Sequence, residues 1–324
     1  MRSFLNIGTW PVDLAQRQRE CHRHSCTSIR LSLQLSASFR DRLISIDHRQ
    51  ALGRHQRQSM TNQTPVHFHL EEQVTVITGA ALGIGAACAE RFAQDGASVA
   101  LWDVNDAAAN ALAQTLTQRG QRAAAFHCDV SRKADVDAAL AATLTAFGRV
   151  DALINNAGIF RSANFLDISE ADWDAVLNVN LKGAFLVAQA VAREMVRAGT
   201  RGAIVHMSSV NSVLAIPNIA SYNVSKGGIN QLTRVMAIGL VEHGIRVNAV
   251  GPGTIATELA RQAVLGSDAA RARIMSRTPL QRLGEPSEIA DVCAFLVSSA
   301  SSYMTGAIVY VDGGRMALNY TVTP

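Results

Sequence analysis

From residue 72 onward, short runs of β-branched and other apolar residues alternate with longer stretches rich in alanine and leucine. QVTVIT (73–78) reads as a strand and 84–95 as a helix; SVALWD (98–103) is a second strand and 106–119 a second helix. AAAFHCD (123–129), a helix over 132–147 and VDALIN (150–155) continue the rhythm. A long helical stretch around 172–198 leads to GAIVHMS (202–208) and a helix over 222–242. IRVNAV (245–250), a helix over 286–298 and GAIVYVDGG (306–314) close the series. Strands separated by helical patterns of this length require crossover connections, so the expected architecture is a doubly wound parallel sheet in three α/β/α layers. The segment around 254–284 breaks the rhythm. It lies between the sixth and seventh strands and is long enough to cover a site at the strands' C-terminal ends.

Composition fits a globular chain: 324 residues, 48% hydrophobic and 17% charged, enough to bury a substantial core. The formal charge of +4 is unevenly placed. Residues 1–59 hold ten arginines, no lysine and four acids, whereas 60–324 hold twenty basic and twenty-two acidic residues. The basicity therefore belongs to the tail, which argues against nucleic-acid binding by the body. Residues 1–65 are expected to be a poorly ordered basic extension, with an organellar presequence or an upstream start choice as alternative readings, and 66–324 to be the catalytic domain. The five cysteines, Cys21, Cys26, Cys88, Cys128 and Cys293, are scattered without metal-ligand spacing and read as reduced thiols in a cytoplasmic protein. No uninterrupted apolar run reaches the length needed to cross a bilayer, so no membrane partner is expected.

Chemistry enters with TGAALGIG, Thr78–Gly85, directly after the first strand. Gly79, Gly83 and Gly85 permit a tight turn and let backbone N–H groups approach a pyrophosphate at a helix N-terminus. Asp103 follows twenty-four residues after Gly79, at the end of the second strand. Its carboxylate suits an adenosine ribose diol and would repel a 2′-phosphate, favouring NAD over NADP. A P-loop is excluded because GK[ST] is missing. Asp129, in the CDV run, faces either an adenine edge or caps the next helix. In NNAG (155–158), small residues suit close backbone approach to a flat ligand, and Asn155 is expected to tie strand ends together.

Taken together, the chain resembles the short-chain dehydrogenase/reductase family, classical type, over roughly residues 70–315. The resemblance rests on TGAALGIG, Asp103, CDV, NNAG, Asn180 in NVNLKG, Ser209, YNVSK (222–226), PGTIAT (252–257) and the closing segment 279–314. It implies a Rossmann-like fold and a catalytic set of Asn180, Ser209, Tyr222 and Lys226. The implied cofactor contacts add Leu82, Ile84, Val130, Asn156, Ala157, Gly158, Pro252 and Gly253 to the residues above, with Ile255 and Thr257 at the nicotinamide carboxamide. Lys226 is implied to reach the nicotinamide ribose, and Asn180 to hold a water relaying protons to Lys226.

The roles have a chemical basis. A free tyrosine titrates at about 10 and is a poor base at neutral pH; an ammonium four residues away on a helix, with a positive nicotinamide, would favour the phenolate. Tyr222 is then the general base in alcohol oxidation and the general acid in carbonyl reduction. Ser209 stands thirteen residues before Tyr222, the family's spacing, and would orient the substrate oxygen; Ser208 reads as structural. The histidines, among them His67, His69, His127, His206 and His243, suggest no metal site. Substrate contacts are expected from Ser209, Asn211 and Tyr222, then Val210, Ser212, Ile216 and 253–259, with Phe160 and Arg161. The expected protein is an NAD-linked dehydrogenase of a small secondary alcohol or sugar. A 3-oxoacyl-carrier-protein reductase is the alternative, and a catalytically silent NAD sensor the reading from another class. Resemblance implies a homotetramer, or a homodimer.

Overall fold

The computed structural model describes residues 66–258 and 267–322. The extension expected at 1–65 and the middle of the 254–284 segment lie outside them.

Seven strands form one sheet: β1 (Val74–Thr78), β2 (Ser98–Asp103), β3 (Ala123–His127), β4 (Ala152–Asn155), β5 (Ala203–Met207), β6 (Arg246–Pro252) and β7 (Ile308–Val311). They pair in parallel throughout, in the order β3-β2-β1-β4-β5-β6-β7. The chain reverses its direction of travel between β1 and β4, and ligands of such sheets bind at that switch point, beyond the strands' C-terminal ends. The register sets Ile77 beside Ile154, which places the glycine turn after β1 next to the NNAG turn after β4.

Among the described residues, eight α-helices accompany the sheet: α1 (Gly83–Gln94), α2 (Asp106–Gln118), α3 (Lys133–Phe147), α4 (Glu170–Leu177), α5 (Ala184–Ala198), α6 (Ala220–Leu240), α7 (Asp268–Met275) and α8 (Pro286–Val297). Alternate residues of each strand point to opposite faces. Ile77, Leu101 and Val205 pack with Phe92, Leu116, Ile289 and Leu296 from α1, α2 and α8. Val76, Leu153, Ile204 and Val247 pack with Val136, Val191, Met195 and Ala237 from α3, α5 and α6. Coverage of both faces explains why β1, β4 and β5 are buried at every position and are largely apolar, without alternation.

Two features depart from the periodic pattern. Between α4 and α5 the helix widens into a π segment, Asn178–Gly183, so that 170–198 is one continuous helical stretch. With a window of mean hydropathy 1.4 it is long and apolar enough to cross a membrane, although charged residues interrupt it in the sequence. Half of that window is buried inside the fold, where Val187, Ala188, Val191 and Met195 complete the core under β4 and β5. Within the 254–284 segment, α7 is capped by the Ser267 hydroxyl, which accepts from Ala270 N, and Ile255 bridges Gly284.

Candidate active site

At the nucleotide end the glycines are dictated by contact. Gly79 has φ +60°, and a Cβ there would stand 2.9 Å from Ala157 Cα. A Cβ on Gly85 would fall 2.0 Å from Gly79 O, so the α1 turn can lie flat on β1 only without a side chain. The Thr78 hydroxyl accepts from Asn156 N (2.9 Å) and Ala157 N (3.0 Å), and Asn156 Nδ2 donates to Thr78 O and Gly79 O. These bonds lock the two turns together. Leu82 precedes α1 with no side-chain cap, and the first turn carries no acid, so its N–H groups face outward unpartnered by side chains. That is the chemistry of a dinucleotide pyrophosphate cradle. Asp103 stands beside it, accepting from Ala81 N (2.9 Å) and Asn105 N (2.8 Å). Each carboxylate oxygen keeps a further lone pair for a ribose hydroxyl.

Other predicted residues have different placements. Asp129 accepts from Ser131 N and Oγ, while Arg132 is the N-cap of α3, so the capping alternative for Asp129 does not hold. The Val130 side chain is buried in the core beside Cys128, so any cofactor contact from this position falls to its backbone. Asn155 ties strand ends as expected, accepting from Thr78 Oγ1 and donating to Ala184 O.

The chemical end assembles on β5 and α6. The Ser209 Oγ accepts from Asn211 N (3.1 Å), which leaves its own proton to donate. Ser208 is committed elsewhere, donating to Asn230 Oδ1 at 2.6 Å. Lys226 is 4% exposed; its Nζ donates to Met207 O (2.7 Å) and lies 5.5 Å from the centroid of the Tyr222 ring. Burial pushes the Lys226 pKa down to about 8. Burial also raises that of Tyr222, opposed by the Ser209 hydroxyl. Sequence reasoning expected the lysine to favour the phenolate. Desolvation of the hydroxyl is the larger influence and the Ser209 hydrogen bond the opposing one, while the Lys226 ammonium directs its own hydrogen bond at a carbonyl.

Asn180 occupies the π segment, a common place for functional side chains. Both of its amide protons and its oxygen are engaged: Nδ2 donates to Ile159 O (2.8 Å) and Ser225 Oγ (3.1 Å), and Oδ1 accepts from Ile159 N (2.8 Å). It clamps the loop after β4 against α6. A Cβ on Gly158 would stand 3.3 Å from Asn180 Oδ1 and 3.7 Å from Lys226 Nζ, so these three residues converge.

A cavity of about 500 Å³ joins the two ends. Ile84, Asn156 and Gly158 line it with Ser209, Asn211, Tyr222 and Lys226, and Pro252, Gly253, Ile255 and Thr257 close one side. Val210, Phe160 and Ile216 also line it, whereas Arg161 pairs with Asp172 and Ser212 turns back to Ser209 O. Sequence reasoning missed Ile274, Arg277, Asp312 and Arg315, which contribute from α7 and from beyond β7. The available signal was position: Asp312–Arg315 follow the last parallel strand at its C-terminal end. The lead-in to β1 also gathers exposed His67, His69 and Glu71, whose ligand atoms lie within 4.8 Å of one another, a grouping their alternation did not suggest.

A family model described as enoyl-(acyl carrier protein) reductase matches residues 79–316. A 3-oxoacyl-[acyl-carrier-protein] reductase of Thermotoga maritima is 39% identical over 247 residues, 76% of this chain and 99% of that protein. The chain belongs to the short-chain dehydrogenase/reductase family. A D-threitol dehydrogenase of Mycolicibacterium smegmatis is 41% identical to this short-chain dehydrogenase/reductase, over 76% of the chain and 94% of that protein. A solved short-chain dehydrogenase/reductase from Mycobacterium marinum superposes with a TM-score of 0.74 at 35% identity, covering 78% of this chain and 98% of that one. Dehydrogenases of the family use nicotinamide cofactors and act on small alcohols or carbonyl compounds. The glycine cradle, the open α1 N-terminus and Asp103 of this short-chain dehydrogenase/reductase fit such a dinucleotide.

Proposed function

We propose that the protein is an NAD-dependent oxidoreductase interconverting a secondary alcohol or sugar hydroxyl with the corresponding carbonyl or lactone, with Tyr222 as general acid/base. The observation that carries this reading is the meeting of Ser209, Tyr222 and Lys226 in a cavity that Ile84, Asn156 and Gly158 of the nucleotide end also line. The preference for NAD is supported by Asp103, followed by Val104, Asn105 and Asp106 with no basic residue among them. A phosphate on the adenosine ribose would meet negative charge there.

Ser209 donates to the substrate oxygen, and Tyr222 exchanges the hydroxyl proton with it. Lys226, charged below about pH 8, holds positive charge over the phenol ring. Bound nicotinamide supplies the hydride-exchanging ring and, when oxidised, a second positive charge. The reading includes a homotetramer in the cytoplasm, supported by family membership and by exposed apolar residues on α6.

The deciding experiment screens alcohols and sugars for NAD reduction, with Tyr222→Phe as the control. The substitution is expected to cut turnover by a factor of about 100 or more while leaving NAD affinity intact. Unchanged turnover removes Tyr222 from proton transfer. The name of the Thermotoga relative favours one second reading, an acyl-carrier-protein reductase, which predicts turnover of 3-oxoacyl thioesters with NADPH in preference to NADH. NAD binding with no turnover of any alcohol would instead favour a silent sensor.

A further inference from the structure

Two arginines stand together on the side of the cavity built by the C-terminal third of the chain. The strip around residue 278 is stitched to the strip after β7: Leu280 N donates to Gly313 O (3.1 Å), and Val322 N to Ser276 O (2.8 Å). The approach is close, since a Cβ on Gly314 would lie 3.0 Å from Pro279 Cγ, and one on Gly313 3.0 Å from Thr278 Cγ2. Arg277 and Arg315 are thereby neighbours, and both line the cavity that holds Ser209 and Tyr222.

No ion pair neutralises them, and the acid that acts on Arg315, Asp312, is held by backbone N–H groups. Neither guanidinium forms an ion pair among the described residues; Arg277 Nε donates to Arg273 O (3.2 Å), leaving its terminal nitrogens uncommitted. Asp312 is the acidic side chain among the described lining residues, and its two oxygens accept from Gly314 N (2.9 Å) and Met316 N (2.7 Å). Residues 259–266, LARQAVLG, contain no acid. Burial lowers the Arg315 pKa and the Arg277 charge lowers it further, with Asp312 opposing. Two partly buried like charges held together by backbone pairing are unfavourable until an anion bridges them, and a guanidinium fork matches carboxylate or phosphate oxygens in a bidentate manner.

We propose that Arg277 and Arg315 form an anion subsite in the substrate pocket, so that the preferred substrate is a hydroxy acid or phosphorylated alcohol rather than a neutral one. The proposal rests on the dehydrogenase reading above and names the substrate class of that site.

The test compares glycerate, glycerol phosphate and glycerol, and gluconate against glucitol, in wild type and in Arg277→Leu and Arg315→Leu. Wild type is expected to favour the charged member of each set in kcat/KM by at least about tenfold, and each variant to lose that ratio. Carboxylate and phosphate members separate the two anion types. In parallel, calorimetry follows gluconate and glycerol phosphate binding to the enzyme–NADH complex, a readout that needs no turnover. Binding weakened about tenfold by either substitution, with NADH affinity retained, supports the subsite even where no panel member is oxidised; in that case the redox reading alone fails. Turnover of glucitol and glycerol with a charged-to-neutral ratio that neither variant alters overturns the subsite and leaves the redox reading standing. So does a raised KM for NAD with the ratio unchanged, which would place the arginines against the cofactor. Absence of anion binding together with absence of preference also overturns it.

Discussion

His206 shows how a single residue sets a condition on the whole fold. It lies on β5, fully buried, with Nδ1 3.3 Å from Asn155 Nδ2 and no partner at Nε2 among the described residues. Burial, and next the charge of Lys226, depress its pKa from 6.5 to about 4. The unfolded chain therefore binds more protons between these values, so stability is full above about pH 6.5 and falls as the pH drops through 4. The loss should approach about 3 kcal/mol, measurable as a shift in urea midpoint across that range. His206→Gln is expected to flatten this part of the profile; an unaltered slope would assign it to other groups. At this scale the residue types of the site were legible because each motif sits at a fixed distance from the next. The thirteen-residue spacing to Tyr222 separated Ser209 from Ser208 for the same reason. The protonation preference of Tyr222 was not legible, because it depends on what folds over the hydroxyl. The arginine chosen from sequence, Arg161, proved to pair with Asp172, while Arg277 and Arg315 reach the cavity through contacts between distant segments.

Elements are joined by similar long-range bonds, of which Arg246 gives the clearest case. Its guanidinium, at the start of β6, collects the end of α8: Nη1 donates to Leu296 O (2.8 Å), and Nη2 to Val297 O (2.9 Å) and Ser298 O (3.1 Å). A cation on the last carbonyls of a helix satisfies acceptors that have no helical partner and complements the negative end of the macrodipole. Arg246→Met keeps the apolar stem and removes the charge. It is expected to cost roughly 2 to 3 kcal/mol in chemical denaturation, with little change in NADH affinity. In IRVNAV the arginine reads as the charged lip of a strand, since its partners lie about fifty residues further on. Helices and strands were legible from period and burial, whereas the π segment around Asn180 was not. One extra residue per turn leaves the apolar pattern on either side nearly intact.

At the scale of the molecule, the doubly wound parallel sheet follows from crossover connections and needed no side-chain detail to anticipate, whereas the order of its strands comes from the structure. The outer surface is less legible, because exposed apolar residues acquire meaning only when the fold puts them together. Val235 and Ile238 are exposed along the C-terminal part of α6 and Val241 directly after it, with Ile238 at 78%. If the expected homotetramer uses this helix, Ile238→Glu should yield a smaller species in light scattering at unchanged helix content. An unchanged mass would move the interface elsewhere. The strand order also imposes a timetable. The dinucleotide cradle is built from β1, β2 and β4 and the turns that follow them, all within the first hundred residues of the described fold. The wall carrying Asp312 and Arg315 hangs from β7, an edge strand whose one neighbour is β6. At the usual pace of about 5–20 residues per second, a ribosome delivers β7 on the order of ten seconds or more after β1. A nascent chain therefore has the parts to grip its nucleotide well before it has a complete chamber in which to use it.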